Sequence, residues 1–490
     1  MSLPYFQVVD HTIMINFIEN ILCHFESCFS RRAAFRWFVA IIAGLMLRSD
    51  KLGVTSIIRD LALAPGCYEP MLHFFRASSW SLEGIRERWH SAVSRYAPLY
   101  KEGNLHVLVG DGVKQSKEGR RMPGVKKLFQ ESGNSAKPRF IHGHMFGGLG
   151  ILAGSIRNWA CIPLSIRLHD GLQAAREWEG ASVSAASHVV QMVEDAYKAA
   201  LAFGDSLLLL DRYFLTVPAL ERLGALNASG AVHMDIVTKA KKSCTAYQKP
   251  GPRRPGRGRP PKKGAAVHLK DLFASHAGQF QETEAELYGK KQRIRYYSID
   301  LLWGQKLYQE LRFVLVEMNG VQSILVSTCL ALDPLSIIRL YSYRFRIECM
   351  FRELKQQTGA FCYHFWSKHM PRLSYYQKKG EPEPLERVEG EKPRRKVLEA
   401  VRAIEMHMAL SCISMGILQS LSIRYIGKIG SSQIRYQRTP SKGRVSEATL
   451  MHYFRKHFFR LLGQEPGLRI TQIIQELQEE PGEQWDSMAS

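Results

Sequence analysis

The sequence predicts an α/β fold in which a mixed sheet forms the centre of the chain and helical regions flank it. Apolar runs at residues 105–110 and 207–210 each end at an aspartate, as short buried central strands do. The segments that follow the first strands alternate between helix and strand patterns, which indicates both parallel and antiparallel pairing. Further strands are predicted at 140–152, 159–168 and 232–237, and helices at 183–202 and 215–223.

The composition is that of a globular protein with a polyanionic partner. Of the 490 residues, 45% are hydrophobic and 23% are charged, which excludes a chain that is disordered or fibrous throughout. Lys and Arg number 67 against 45 Asp and Glu, an excess of 22 positive charges. Such an excess favours binding to nucleic acid or to an anionic membrane surface.

Several patterns narrow the class of protein further. No uninterrupted apolar run reaches the ~20 residues that a membrane helix needs, so we expect no membrane partner. The N-terminus has no leader pattern, which predicts a cytoplasmic, nucleoid-associated protein. Nine cysteines without any CxxC pair argue against a disulfide framework and against a zinc ribbon. We therefore expect double-stranded DNA as the partner.

The two ends of the chain are predicted to be helical. Residues 1–100 are expected to form an N-terminal DNA-binding domain. Two short helices at 55–63 and 68–75, joined by Ala64-Pro65-Gly66, suit either a helix-turn-helix or a small helical bundle. Residues 426–490 are predicted to form a basic and helical C-terminal region. Its last amphipathic helix serves either self-association or packing onto its own domain.

Between the central strands and the C-terminal region, residues 239–330 are predicted to form a β-rich insertion. Residues 239–263 contain ten basic residues and no acid, together with several prolines and glycines, which predicts a mobile loop. Within it, Arg257 and Arg259 form an AT-hook-like Arg-Gly-Arg that could enter the minor groove. The alternative is a basic loop that contacts phosphates without sequence choice. Asn319-Gly320 predicts a β-hairpin.

The segment after the insertion is predicted to be one helix from Asp333 to Gly359. A stripe of apolar side chains is expected to be buried on one face. Next to this stripe, Tyr341, Arg344, Glu348 and Lys355 are predicted to project together. A carboxylate between two cations and a phenol suits a phosphodiester held against a metal. The alternative is a solvated helix face with an Arg–Glu pair four residues apart.

The spacing Y-x2-R-x3-E-x6-K resembles the YREK signature of bacterial insertion-sequence transposases of the DDE superfamily. The resemblance extends to VLVGDGVKQSKEGRRMPG, LLLLDRYF and GRGRPPKKG, and so covers residues 104–365. It implies an RNase H-like catalytic domain, related to retroviral integrases, that a β-rich insertion interrupts before the third acidic residue. We place this catalytic domain at residues 101–425.

The resemblance also implies the chemistry. Asp111, Asp211 and Glu348 would be both the catalytic residues and the ligands of two Mg²⁺ ions, with Mn²⁺ expected to substitute. Tyr341 and Arg344 would hold phosphate oxygens and Lys355 the DNA backbone. DNA contacts are also expected from the loop beyond Asp111, at Lys114, Lys117, Arg120 and Arg121.

The implied activity is cut-and-paste transposition: binding of terminal inverted repeats, cleavage and strand transfer by a homodimer on DNA. One alternative is a catalytically idle DNA-binding protein derived from a transposase. The other is an RNase H-like nuclease without strand transfer. The intact acidic triad disfavours the first alternative, and only an activity assay separates the second.

Overall fold

The computed structural model describes residues 6–51, 53–130, 138–155, 158–180, 187–251, 260–374, 381–425 and 445–479. Within these residues the strands are β1 (Lys101–Glu102), β2 (Leu105–Ser116), β3 (Lys126–Phe129), β4 (Phe140–Ala153), β5 (Ala160–Leu168), β6 (Ser206–Leu209), β7 (Met234–Ala240), β8 (Thr245–Tyr247), β9 (Ala266–His268), β10 (Gln281–Leu287), β11 (Lys290–Trp303), β12 (Gln309–Met318) and β13 (Val321–Ser327). The helices are α1 (Phe6–Cys23), α2 (Arg32–Leu47), α3 (Thr55–Asp60), α4 (Tyr68–Phe74), α5 (Leu82–Tyr96), α6 (Gln173–Trp178), α7 (His188–Ala200), α8 (Val217–Ser229), α9 (Leu272–Ser275), α10 (Pro334–Tyr343), α11 (Arg346–Glu353), α12 (Glu391–Arg424), α13 (Glu447–Gln464) and α14 (Arg469–Gln478).

The centre of the sheet has the strand order β5-β4-β2-β6-β7. The first three strands pair antiparallel, whereas β2, β6 and β7 run parallel, with α7 and α8 as the connecting helices. The predicted α/β class with mixed pairing is confirmed, and this order is that of an RNase H-like sheet.

Strand β2 is longer than the sequence predicts. The apolar run was expected to end the strand at Asp111, but pairing with β4 continues from Leu108↔Ile151 to Ser116↔Gly143. The predicted strand end at this position was therefore wrong. The neighbouring strand β6 pairs only as far as Val109↔Leu209, so β2 extends beyond the parallel part of the sheet.

The β-rich segment after β7 continues the same sheet. Its last strand, β13, pairs antiparallel with β7, and β12, β11 and β10 follow outward. The predicted hairpin is confirmed: Met318 and Val321 pair across the turn, and Asn319 and Gly320 have φ values of 49° and 75°. Positive φ at both turn residues matches the right-handed twist of the paired strands. Arg257 and Arg259 lie outside the described residues.

The N-terminal and C-terminal helices share one apolar core. The Ala64 N–H donates to the Leu477 carbonyl (3.0 Å), and the Arg455 guanidinium donates to the Leu47 carbonyl (2.7 Å). The apolar residues of α14, from Ile470 to Leu477, are buried in this core. The last helix therefore packs within its own chain, one of the two roles expected for it.

Helix α12 is the central element of this helical layer. Its 34 residues run along β5 and contact α2 and α5. In the described part of the chain it is the one helix long and apolar enough to cross a membrane, and 94% of its apolar window is buried inside the protein.

The predicted single helix from Asp333 to Gly359 is divided into two, and that prediction was wrong. Arg344 and Phe345 separate α10 from α11, and residues Leu354–Thr358 form a π-turn that ends at Gly359 with φ 60°. The N–H groups of Arg344, Ile347 and Glu348 each donate to the carbonyl three residues earlier, which tightens the chain locally. The apolar stripe is nevertheless buried as predicted, at Leu340, Tyr343, Ile347, Phe351 and Leu354.

Candidate active site

Asp111 lies in β2 with its carboxylate held at both oxygens. Its Oδ1 accepts from the Gly112 N–H (2.8 Å), and its Oδ2 accepts from the Arg344 guanidinium (2.9 Å). Burial raises the pKa of this carboxyl group, and the negative charge of Asp211 raises it further, against the opposing effect of Arg344. A buried carboxylate whose pKa is raised by a second, nearby carboxylate is a common arrangement at catalytic sites.

Asp211 lies beside Asp111 because of the strand register. Val109 of β2 pairs with Leu209 of β6 in parallel, and each aspartate follows two residues later. Asp211 starts a 3₁₀ turn, where its side chain accepts from the Arg212 N–H (2.6 Å). The Thr238 hydroxyl on β7 donates to the Asp211 carbonyl (2.8 Å), which fixes the backbone at this point. The two aspartates are thus anchored on adjacent central strands.

Glu348 reaches this edge of the sheet from α11. A Cβ on Gly148 of β4 would come within 2.4 Å of the Phe351 ring, so the glycine allows α11 to lie directly on the strand. Gly148 pairs with Asp111, which places the helix on the face where the aspartate side chain projects. Glu348 itself is half-exposed and accepts from Arg344 at 2.7 Å.

Arg344 therefore joins two of the predicted catalytic acids. One guanidinium nitrogen donates to Asp111 and another donates to Glu348, and the side chain is 15% exposed. Burial lowers the pKa of Arg344, but the negative charges of Asp111 and Asp211 outweigh this effect and the net shift is upward. Its cationic state is thereby secured.

The donor chemistry of the acids fits a divalent metal, whereas Glu348 is joined to Asp111 only through Arg344. Carboxylate oxygens are the hard ligands that Mg²⁺ prefers, and a few of them suffice because the ion keeps several waters. Among the described residues, no group of three His, Cys, Asp or Glu side chains lies close enough to hold a metal. Asp111 and Asp211 are the two acids whose charges act on each other directly. Glu348 would complete the set once Arg344 leaves its position between the acids.

Of the other residues predicted on this helix, Tyr341 lies at the site and Lys355 lies further along the chain. Burial raises the pKa of Tyr341, Arg344 opposes the shift, and Asp211 adds to it. This phenol therefore stays protonated near the two aspartates. Lys355 lies in the π-turn, with its ammonium 5.2 Å from the centre of the Phe361 ring.

The basic residues predicted beyond Asp111 have different surroundings. Lys114 donates to the Phe129 carbonyl (2.7 Å), and Arg121 donates to the Lys368 carbonyl (2.7 Å). The Arg120 carbonyl accepts from the Leu373 N–H (2.7 Å). Lys117 is buried and donates to the Phe361 and Tyr363 carbonyls. Contact of these four residues with DNA stays a prediction. For Lys117, its buried position argues against such a contact.

Lys239 is a residue of the site that the sequence reasoning missed. It follows Thr238 on β7, and its ammonium interacts electrostatically with Asp211, Arg212 and Arg344. Burial is the main cause that lowers the pKa of Lys239, and the neighbouring cations lower this pKa further. The available signal was its position near the end of the strand next to β6, but Lys239 also begins the basic stretch 239–263, which was predicted to be a loop.

The fold and the site define a metal-dependent nuclease of the RNase H-like type, with DNA as its substrate. The family model described as DDE superfamily endonuclease matches residues 24–296, more than half of the chain. The protein belongs to this family. The matched region includes Asp111 and Asp211 and ends before the helix that carries Glu348. A search of curated proteins found no match.

Proposed function

We propose that this protein is a cut-and-paste transposase of an insertion sequence, which binds the terminal inverted repeats, cleaves at the ends and joins them to target DNA. The observation that carries the proposal is the Asp111–Arg344–Glu348 connection beside Asp211. It supports a third acid from α11 that acts with the two acids of the sheet. This third acid, Glu348, is the glutamate of the Y-x2-R-x3-E-x6-K spacing.

In this proposal Asp111, Asp211 and Glu348 hold Mg²⁺, with Mn²⁺ as a substitute, and the protein acts as a homodimer on DNA in the cytoplasm. When bound, the metal activates the attacking oxygen and stabilises the leaving oxygen at phosphorus. Arg344 exchanges its two carboxylate partners for a phosphate oxygen, which frees both acids. Tyr341, kept protonated, donates a hydrogen bond to the same phosphate.

The alternative is a nuclease of the same fold that cuts DNA without joining it. The family description, an endonuclease, agrees with this alternative as well. A strand-transfer assay separates the two. Purified protein is incubated with a labelled duplex carrying the inverted repeat that flanks its reading frame, together with a supercoiled target plasmid.

With Mg²⁺ or Mn²⁺ we expect cleavage at the repeat and labelled plasmid, and with Ca²⁺ neither product, because the looser coordination of calcium misplaces the reacting oxygens. Cleavage without plasmid labelling would establish the nuclease instead. Full activity in excess EDTA would contradict metal dependence altogether.

A further inference from the structure

Strands β2, β4 and β3 form an arm that extends beyond the catalytic edge of the sheet. β6 pairs with β2 only up to Leu209, whereas β2 and β4 remain paired as far as Ser116↔Gly143. β3 then pairs with the outer part of β4, ending at Phe129↔Phe140. The arm leaves the sheet at the same edge as Asp111 and Asp211. In the proposed function, a DNA duplex held at these acids would pass beside this arm.

Two exposed aromatic rings lie near the outer end of the described part of this arm. Phe129 and Phe140 are 41% and 47% exposed, and their centroids are 5.5 Å apart in an edge-to-face arrangement. Both belong to paired strands, and the Lys114 ammonium donates to the Phe129 carbonyl. The paired backbone thus holds both rings in position. Their exposure is unusual, because most large apolar side chains in the described residues are buried.

Cations flank both rings. The Lys127 ammonium lies 4.8 Å from the centre of the Phe140 ring, and the Arg139 guanidinium lies 5.4 Å from the centre of the Phe129 ring. An apolar tip bordered by positive charge suits a polyanion that also offers flat apolar surfaces. DNA has both features, in its phosphates and in its stacked bases.

The distance to the catalytic acids sets where the tip meets the DNA. Phe140 lies eight residues before Gly148, the partner of Asp111. At ~3.4 Å per residue the tip lies up to ~27 Å from Asp111 along the strand. Since B-DNA also rises ~3.4 Å per base pair, this distance corresponds to about eight base pairs.

We infer that Phe129 and Phe140 form a wedge that contacts the substrate duplex about eight base pairs from the scissile phosphate and partly unstacks a base step there. The inference rests on the proposed function only for the position of the DNA. Lys127 and Arg139 hold the phosphates on either side of the opened step.

The test is a fluorescence scan with 2-aminopurine, a base analogue that brightens when it is unstacked. A single 2-aminopurine is placed at successive positions along a duplex that carries the cleavage site, and the full-length protein is added without divalent metal. We expect one region of increased emission about eight base pairs from the cleavage site. The variant Phe129→Ala/Phe140→Ala should abolish this increase and weaken binding by about tenfold.

Phe459→Ala is the matched control, because Phe459 on α13 is 46% exposed and lies far from β3 in the sequence. This variant should keep both the emission and the affinity. A double variant with the wild-type scan and affinity would overturn the wedge. So would a double variant that loses self-association but not DNA affinity, since the rings would then bind another copy of the chain.

The outcome is distinguishable from that of the proposed function. A wild-type protein that joins DNA in the strand-transfer assay but gives no increase in 2-aminopurine emission would overturn the wedge and leave the proposed function standing. A wild-type protein that shows the emission but makes no joined product supports the wedge and contradicts transposition.

Discussion

At the scale of single residues, the connection from Asp111 through Arg344 to Glu348 decides which acids are expected to act. Glu348 and Glu353 both lie on α11, so composition and charge treat them alike. Their surroundings differ. Glu348 pairs with Arg344 at the catalytic edge, whereas Glu353 pairs with its neighbour Arg352 and is mostly covered.

Substitution of the two glutamates by glutamine should therefore have opposite results. Glu348→Gln should abolish cleavage while binding to end DNA is retained, because the amide is nearly isosteric but a poor Mg²⁺ ligand. Glu353→Gln should cleave at close to the wild-type rate. The measurement is cleavage and gel shift of both variants with Mg²⁺. A cleavage-competent Glu348→Gln enzyme would show that the catalytic assignment is wrong.

Lys117 allows a prediction about pH and stability. Burial lowers the pKa of its ammonium from 10.5 to about 8. Because the folded pKa lies below the unfolded one, the unfolded chain binds more protons between pH 8 and 10.5, and folding becomes more favourable as the pH rises through this window. Relative to Lys117→Met, the wild-type protein should gain about 3 kcal/mol of unfolding free energy over this range.

Denaturant titrations of both proteins at the two ends of the window measure this difference. Groups that do not interact with Lys117 titrate alike in the two proteins and cancel in the comparison. Parallel stability profiles would mean that the ammonium is hydrated in the folded state.

At the scale of elements, the sequence predicted the central strands well and the catalytic helix less well. The predicted runs at 105–110 and 207–210 are almost entirely apolar, so the pattern of these central strands is strong. The division of the helix at Arg344 was not predictable, because it accompanies contacts with Asp111 and Glu348, and the first of these residues is more than two hundred positions away. The length of β2 was underestimated because its outer part, beyond Asp111, contains the polar residues Lys114, Gln115 and Ser116.

The packing of α11 on β4 gives a test of this arrangement. Gly148→Ala places a methyl group against the Phe351 ring and should displace α11. We expect a loss of about 1–3 kcal/mol of unfolding free energy, as for other overpacked cores, and slower cleavage. Adding Phe351→Leu to Gly148→Ala should restore part of both by removing the edge of the ring.

Gly224→Ala is the control for this substitution, since open space surrounds that glycine on α8. It should leave cleavage unchanged and stabilise the helix by up to about 1 kcal/mol. Equal behaviour of the Gly148 and Gly224 variants would show that α11 does not depend on close contact with β4.

At the scale of the whole molecule, the basic loop between β8 and β9 provides a test of DNA affinity. The ends of the loop are joined by backbone hydrogen bonds from Gln248 to Ala265 and from Gly264 to Gln248. Residues 251–263 can therefore be replaced by a neutral Gly/Ser segment of equal length without separating the strands.

This replacement should weaken DNA binding and flatten its dependence on salt. Each phosphate contact that is lost lowers the slope of log affinity against log salt by about 0.9. The measurement is fluorescence anisotropy over a salt series, with the wild-type chain as reference. An unchanged slope would mean that the loop, including Arg257 and Arg259, does not touch bound DNA.

The shared core of the two chain ends has a consequence for synthesis on the ribosome. The helices α1–α5 are translated well before α13 and α14, which complete their core. Until then the nascent chain exposes an unfinished apolar surface, the condition that favours aggregation or chaperone binding. A reading frame broken before α13 is therefore expected to yield a product that is cleared by proteases, rather than a stable fragment that competes with the intact enzyme for its DNA.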